Sequence, residues 1–274
     1  MNTKFNLMLL LLLITFSSSF GQKWQTLFNG KNLNNWQIKI AKHELNDNFN
    51  NTFHVKEGLL TVDYSGYTNF DEKYGHLFYA RPFSYYVLEI EYRFIGQQIT
   101  GGPDWAYKNS GVMLHSQPPE TMLLNQDFPI SIEAQFLGGD DTNIRTTSNV
   151  CTPGTTIEIH DKLFTPHCLN STSATYRNEE WVKAHLIVLG DSLIEHVLNK
   201  EVVLSYSKPK IGGGNVLNYD PKIKKDGQEL KHGFIALQSE SHPIQFRTIK
   251  LLNLAKFANQ PEKIEKILKT YNIK

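Results

Sequence analysis

Glu133 and Gln135 are the first pair of polar side chains whose types and spacing could do chemistry. They alternate with the apolar residues Ile132, Ala134 and Phe136, and this period of two places both polar groups on one face of a strand. A carboxyl group can donate or accept a proton, and an amide can orient a substrate. The alternative interpretation is an ordinary solvated outer face.

Two further pairs repeat the same spacing. His115 and Gln117 lie in the apolar segment 110–117, and Glu240 and His242 lie in 238–243. Two neighbouring strands that each carry such a pair favour the floor of a cleft over scattered surface polarity. We therefore predict Glu133 as the central acid or base, with His115 and His242 as bases or metal ligands. Gln135 and Glu240 are predicted to orient the substrate.

Aromatic and cationic residues precede the His115 segment. Trp105, Tyr107 and Lys108 follow a glycine pair at 101–102, and we expect them to line the cleft together with Arg145. Aromatic rings beside polar donors suit a sugar, because its C–H faces stack and its hydroxyls form hydrogen bonds. His160 and His167 are further candidates to reach over the same site, with exposed loop histidines as the alternative.

The chain has two cysteines, Cys151 and Cys168. In an oxidising compartment such a pair favours a disulfide. The competing interpretation is a zinc site that also uses His160 and His167, although the spacing matches no common zinc module.

The elements that must position these residues are β-strands. Short β-rich runs are separated by Gly, Asn, Asp and Pro, and helical periodicity is absent until the end. This pattern predicts an all-β sandwich or barrel over residues 22–257. Tight turns are predicted at Gly190-Asp191 and Asn199-Lys200, where positive φ is tolerated. A C-terminal helix is predicted from Pro261 to Tyr271, within a tail at 258–274. The expected strands are Thr52–Tyr64, Gly75–Tyr79, Tyr85–Ile95, Ser110–Ser116, Ile130–Phe136, Thr156–His160, Trp181–Leu189, Leu193–Leu198, Glu201–Ser205, Gly233–Ser239 and Ile244–Leu254.

The amino terminus is typical of a secretory signal peptide. Lys4, the apolar run Leu7 to Phe16 and small residues before Gln22 follow the usual order. A membrane anchor is the alternative, but the run is shorter than the roughly 20 residues of a spanning helix. Export to the periplasm or the cell exterior is predicted. Without residues 1–21 the chain has 27 basic and 27 acidic residues, a balance that does not favour nucleic acid or an anionic membrane as partner.

Several ordered segments together resemble one family. The stretch from Leu27 to Trp36 (LFNGKNLNNW) resembles the opening of the 3-keto-disaccharide hydrolase family. Residues 109–112, 132–135 and 239–243, with Phe246-Arg247, resemble its later blocks in the expected order. The resemblance implies a concanavalin A-like jelly-roll β-sandwich that acts on glycosides oxidised at C3 of the sugar. Cleavage would proceed by hydrolysis, or by 1,2-elimination followed by hydration.

That chemistry can be compared with the residues. A C3 ketone acidifies the C2 proton, so elimination needs a base near C2, a donor or cation for the enolate oxygen, and an acid for the departing oxygen. Lys108, Arg145 or a divalent metal held by His115, Glu133 and His242 could stabilise the enolate. Gln135 cannot ionise, which argues against ordinary retaining hydrolysis by two carboxylates on one strand. A lectin-like carbohydrate-binding module and a purely structural domain are the alternatives.

Overall fold

The computed structural model describes residues 22–140 and 142–274, so the predicted signal peptide at 1–21 lies outside the described residues. Within them the chain forms two antiparallel sheets and one short α-helix. The strands are β1 Trp24–Thr26, β2 Trp36–Ile40, β3 Phe53–Lys56, β4 Leu59–Val62, β5 Gly75–Tyr79, β6 Tyr85–Phe94, β7 Asn109–Ser116, β8 Ile132–Leu137, β9 Asn149–Cys151, β10 Thr155–Ile159, β11 Lys162–Phe164, β12 Cys168–Leu169, β13 Val182–Leu189, β14 Leu193–Leu198, β15 Glu201–Ile211, β16 Phe234–Ser239 and β17 Ile244–Asn253; helix α1 is Pro261–Thr270.

The two sheets differ in size. The ten-stranded sheet has the order β11-β10-β15-β14-β13-β6-β17-β4-β3, with β1 paired to β17 beyond the stretch that pairs with β4. The seven-stranded sheet has the order β12-β9-β8-β7-β16-β5-β2. Strands that neighbour each other in space are often distant in the chain, which is typical of jelly-roll sandwiches. The predicted all-β sandwich is confirmed.

The core between the sheets determines which way β8 faces. Phe136 of β8 stacks on Tyr92 of β6 in the other sheet, with ring centroids 4.1 Å apart. Ile132 and Ala134 are buried in the same core. Because side chains alternate along a strand, Glu133 and Gln135 point to the outer face of the seven-stranded sheet, as the sequence pattern predicted.

Turn geometry follows the local sequence. Asn199 and Lys200 both have positive φ between β14 and β15, and Gly190 has positive φ between β13 and β14, as predicted. The single strand predicted at Thr52–Tyr64 is wrong. Glu57 and Gly58 both adopt positive φ there, so the segment forms the hairpin β3–β4.

Helix α1 packs on the outer face of the ten-stranded sheet. Its Ile264 and Leu268 are buried against Val87, Ile187 and other apolar residues of that face. The same cluster includes Val197, while Leu198 faces the main core, so β14 is covered on both sides. A register shift between His196 and Val197 explains its imperfect alternation.

Within the described residues, no helix has the length and hydrophobicity needed to cross a membrane.

Candidate active site

The outer face of the seven-stranded sheet carries a row of buried polar side chains. On β8, Glu133 pairs in register with Met113 of β7, and Gln135 pairs with Gly111. Glu133 is 6% exposed, although it lies on the face turned away from the core. On an ordinary solvated strand face such a carboxyl would lie in water, so its burial favours a functional site.

Gly111 determines where the carboxyl of Glu133 lies. A Cβ atom at residue 111 would lie 2.6 Å from Glu133 Oε1 and 2.8 Å from its Cγ. The side chain of Glu133 therefore crosses β7 through space that any other residue at 111 would fill. On the far side of β7 lies β16, the next strand of the sheet.

Glu240 enters the site from the end of β16. It lines the same cavity as Glu133, is buried, and accepts a hydrogen bond of 3.3 Å from Gln238 Nε2 to its Oε1. The sequence pattern placed Glu240 in the site as an orienting residue. In the structure it is a second buried carboxyl group close to Glu133. Glu240, at the end of β16, therefore supplies the second carboxyl group that Gln135 of β8 cannot provide.

Burial perturbs both carboxyl groups. Burial raises the pKa of Glu133 to about 8. The pKa of Glu240 is raised well above its usual range by burial and then by the nearby charge of Glu133, while Arg145 acts in the opposite direction. Two close carboxylates in a poorly solvated site resist double ionisation. The pair therefore retains a proton near neutral pH, as an acid–base catalyst requires.

Several buried acceptor atoms at the site have no hydrogen-bond partner among residues 22–140 and 142–274. They are Glu133 Oε1, Glu240 Oε2, Asn109 Oδ1 and Gln238 Oε1. Buried polar atoms are normally satisfied, so a group of orphaned oxygens on one face indicates that a ligand supplies the donors. Substrate hydroxyls can do so, and a hard divalent cation also prefers such oxygen ligands.

A cavity of about 540 Å³ is lined by Glu133, Glu240 and Asn109, whereas Gln238, the hydrogen-bond partner of Glu240, is not among its lining residues. Its polar lining residues include Glu133, Glu240, Asn109, Gln135 and Asp127. Its apolar lining residues include Trp105, Phe128, Pro153 and Leu217, and the remaining lining comes from Cys151, Cys168, His167 and Asn215.

Trp105 provides an aromatic surface at the cavity. Its indole is 54% exposed and lies nearly parallel to the ring of Tyr74, with centroids 6.1 Å apart. An exposed indole fixed in orientation by a second ring can stack on the C–H face of a sugar.

Arg145 organises the loop that carries Trp105 and Tyr107. Its guanidinium donates to the backbone carbonyls of Tyr107 and Gly138, the latter at 2.9 Å, and more weakly to that of Trp105 at 3.3 Å. Most of its donors are therefore used within the protein. Arg145 acts on the site through its charge beside Glu240 and by holding this loop in place.

His242 and Lys108 pack around Tyr107. The His242 ring lies 5.2 Å from the Tyr107 ring in an edge-on arrangement, and Lys108 Nζ lies 5.5 Å from that ring. Burial, then the charges of Lys108 and Arg145, lower the pKa of His242 to about 4, so the imidazole is neutral near pH 7. Lys108 Nζ also donates to the Gly139 carbonyl at 3.2 Å. Among the described residues that line the cavity, His242, Lys108 and Tyr107 are all absent.

The structure does not place His115 beside Glu133, contrary to the sequence prediction. His115 has a φ of +48°, and the pairing of β7 with β16 shifts register here. This irregularity breaks the alternation that would have kept His115 on the Glu133 face. Its Nε2 instead donates to the Gly190 carbonyl of the opposite sheet at 2.9 Å, and His115 lines a different cavity.

His160 also lies away from the site. It forms the turn between β10 and β11 together with Asp161, and both residues have positive φ. These strands belong to the edge of the ten-stranded sheet, whereas the cavity lies on the other sheet. The expected contribution of His160 to the cleft is therefore corrected, while His167 does line the cavity.

The two cysteines form a disulfide in the cavity wall. Cys151 of β9 and Cys168 of β12 are directly paired across the strands, with an S–S distance of 2.07 Å. His167 lies close enough that its ring nitrogen and both sulfurs fall within 4.8 Å of one another. Sulfurs joined in a disulfide are not thiolate ligands, so the disulfide is confirmed over the zinc alternative.

Removal of this bridge is expected to destabilise the fold. The double variant Cys151→Ser/Cys168→Ser should lose about 3 kcal/mol of unfolding free energy, because the unfolded chain regains the entropy of an open loop. Urea denaturation of the variant and of the oxidised wild type measures the difference. An unchanged midpoint and slope would show that the bridge does not constrain the chain.

Several cavity residues were missed by reasoning from the sequence. Asp127 and Phe128 lie in a loop without periodicity, and Leu217 is brought there because its backbone N–H donates to Asp127 Oδ1 at 2.8 Å. Gln238 does not line the cavity but donates to Glu240, and it could have been found because it precedes Glu240 by two residues. Asn109 begins β7 two residues before Gly111 and was noted only as part of a resemblance.

Comparisons with known proteins give a family match and similar solved structures. A family model described as the 3-keto-alpha-glucoside-1,2-lyase-like domain matches residues 23–252. A provisionally assigned glycosyl hydrolase from Parabacteroides distasonis ATCC 8503 has a similar fold, with 17% identity and a TM-score of 0.51, over 85% of this chain and 100% of that one. A second provisionally assigned glycosyl hydrolase from that organism is 18% identical, with a TM-score of 0.48, over 84% of this chain and 94% of its own.

No curated protein matches the sequence. The family match spans most of the chain and includes both carboxyl residues of the cavity, Glu133 and Glu240. On this evidence, the chain belongs to the carbohydrate-active family of 3-keto-alpha-glucoside-1,2-lyase-like domains.

Proposed function

We propose that this protein is an exported enzyme that cleaves glycosides whose sugar carries a ketone at C3. The observation that carries the proposal is the buried pair Glu133 and Glu240, which shares a cavity with an exposed indole and retains a proton near neutral pH. Family membership supports the substrate class.

The proposed reaction begins at C2. The C3 ketone acidifies the C2 proton, and the carboxylate member of the pair removes it to form the enolate. When the ketone reforms, the electron pair makes the C1–C2 double bond and the C1–O bond breaks. The protonated member of the pair donates its proton to the departing oxygen. Addition of water at C1, with a proton at C2, completes a net hydrolysis.

Neutral donors and acceptors orient the sugar in this scheme. Gln135, Asn109 and Glu133 line the same cavity, and His167 lines it beside the disulfide. Trp105 stacks on the ring. His242 and Lys108 contact Tyr107 rather than the cavity, so we propose them as positioning residues for the loop that carries Trp105.

The oxygen atoms of the cavity lining suit a divalent cation. The set predicted from the sequence, His115, Glu133 and His242, is less suitable because its members do not line one cavity. Asn109 Oδ1 and an oxygen of the ionised member of the carboxyl pair would hold the cation, whereas the other member keeps its proton and His115 lies in another cavity. Such a cation supplies Lewis-acid stabilisation of a developing enolate oxygen. Proton transfer at C2 and at the leaving oxygen is assigned to the carboxyl pair.

Export is part of the proposal. The disulfide at Cys151 and Cys168 is typical of proteins that fold in an oxidising compartment. The pattern of residues 1–21 predicts the corresponding signal peptide.

The experiment that tests the function compares a 3-keto-glucoside with its parent glucoside, with and without a chelator. Wild-type protein should release the aglycone only from the keto-sugar. Glu240→Gln should lower kcat/KM by about 10²–10⁴-fold, the usual contribution of one acid–base group. Gln25→Glu, a change on the other sheet, should retain activity.

Two results would argue against this assignment. Equal release from the parent glucoside would remove the role of the ketone. Sugar binding in calorimetry without turnover of any keto-glycoside would instead support the lectin-like module, for which the stacked pair Trp105 and Tyr74 is the favouring observation.

A further inference from the structure

A second cavity of about 470 Å³ lies beside the end of β7. The segment 222–234 covers one side of it, and His115, Gln117 and Ile130 lie on another. None of the residues that line it also lines the cavity of Glu133. The proposed reaction therefore leaves this space without a role.

His115, on the wall of this cavity, combines an uncommon backbone conformation with an unpaired ring nitrogen. Its Nε2–H donates to the Gly190 carbonyl, so Nδ1 is an acceptor, and this buried atom has no partner within the described part of the chain. The positive φ of His115 is uncommon for a bulky residue, and such conformations concentrate at functional sites.

Gly233 permits the close approach that surrounds His115. A Cβ atom at residue 233 would lie 2.3 Å from the carbonyl carbon of His115. The backbone at residue 233 can therefore lie against the backbone of His115 only because glycine has no side chain. His115 is therefore a fixed part of the cavity wall, and its acceptor Nδ1 is not a group that would contact an anion.

The lining of the cavity includes two lysines and several apolar residues. Lys222, Lys225 and His232 line it, and none of its lining residues carries a carboxyl group. Neither Lys222 nor Lys225 forms an ion pair with any residue in 22–140 or 142–274, whereas the neighbouring lysines at 224 and 231 are paired with Asp226 and Glu229. Two lysines are thus left free beside an apolar space.

We propose that this cavity binds a small organic anion, an aromatic carboxylate, at a site separate from the carboxyl pair. The carboxylate would lie at Lys222 and Lys225, and the ring would lie against Ile130, Ile223 and Leu230. The charge distribution selects an anion, and the apolar walls select a ligand with a hydrophobic body rather than phosphate or a bare sugar. The assignment is independent of the proposed reaction.

Binding of 2-naphthoate to the full-length mature protein tests this proposal, with 2-naphthamide as the neutral analogue. Calorimetry should detect binding of the acid at least tenfold tighter than of the amide. The double variant Lys222→Gln/Lys225→Gln should weaken acid binding by about tenfold or more, because it removes both unpaired positive charges beside the cavity. Lys231→Gln, an already paired lysine nearby, should bind as the wild type does.

Separate measurements test whether naphthoate binds in this cavity. The ring resonances of His115 should shift in NMR spectra as naphthoate is added, and Trp105→Ala should leave the affinity unchanged. Ile223→Asp, which places a carboxylate on the wall, should abolish binding while circular dichroism shows a folded protein. Equal affinity for the acid and the amide, or loss of binding in Trp105→Ala, would overturn the proposal.

Discussion

Replacing Glu133 with glutamine is expected to lower kcat/KM on a 3-keto-glycoside by about 10²–10⁴-fold and, at the same time, to stabilise the protein at pH 8. Glutamine keeps the shape of the side chain and removes the proton that the carboxyl pair transfers. It also removes a group whose ionisation is opposed by burial. Loss of activity and gain of stability would thus have one physical cause.

The stability effect has a defined pH window. Burial raises the pKa of Glu133 from the ordinary 4.5 to about 8 in the folded protein. Below pH 4.5 the group is protonated in both states and imposes no penalty. As the pH rises toward 8 the unfolded state ionises first, so the wild type loses stability, on the order of a few kcal/mol.

Thermal denaturation at several pH values measures this difference. The Glu133→Gln variant should melt close to the wild type at pH 4 and above it at pH 8. Glu201→Gln, an exposed residue of the opposite sheet without an ion pair among the described residues, serves as the control and should show no such divergence. A constant difference between wild type and variant across the range would show that Glu133 does not carry a raised pKa.

Replacing Gly111 with alanine is expected to disable the site without changing a catalytic group. The new Cβ would meet Glu133 Oε1 at 2.6 Å and its Cγ at 2.8 Å, so the carboxyl must leave its place over β7. A displacement of about 1 Å can reduce turnover by roughly 100-fold. We expect a loss of that size in kcat, with about 1–3 kcal/mol of destabilisation from overpacking.

Two variants separate the displacement from general damage. Gly214→Ala is the matched control, because nothing lies within 4 Å of a Cβ atom at that position, and it should retain both activity and stability. Gly111→Ala combined with Glu133→Asp shortens the obstructed side chain and should recover the stability of the fold but not the activity. Full activity in Gly111→Ala would show that Glu133 does not need its position across β7.

Much of the fold was predictable because its signals are local. Alternation in 132–136 placed Glu133 outward and Phe136 inward, and both are observed. The turn at Asn199-Lys200 follows from residues that tolerate positive φ. The hairpin at Glu57-Gly58 was missed, although Lys56-Glu57-Gly58 interrupts the apolar residues and Gly58 readily adopts positive φ.

The site was less predictable because it depends on register between strands that are distant in the chain. Alternation alone extended the Glu133 face to His115, and only the shifted pairing of β7 and β16 shows that it turns to the opposite sheet. Conversely, the approach of Glu240 to Glu133 depends on the strand order and on the missing side chain at Gly111.

The most direct test of the carboxyl-pair mechanism is the fate of the C2 hydrogen during turnover in D₂O. A 3-keto-glucoside with an aryl aglycone is incubated with the wild type and with Glu133→Gln, and the sugar product is analysed by mass spectrometry and NMR. The proposed mechanism predicts that the wild type releases the aglycone and incorporates deuterium at C2, while the variant does neither. Release of the aglycone by the wild type with the original C2 hydrogen retained would contradict proton abstraction by this pair.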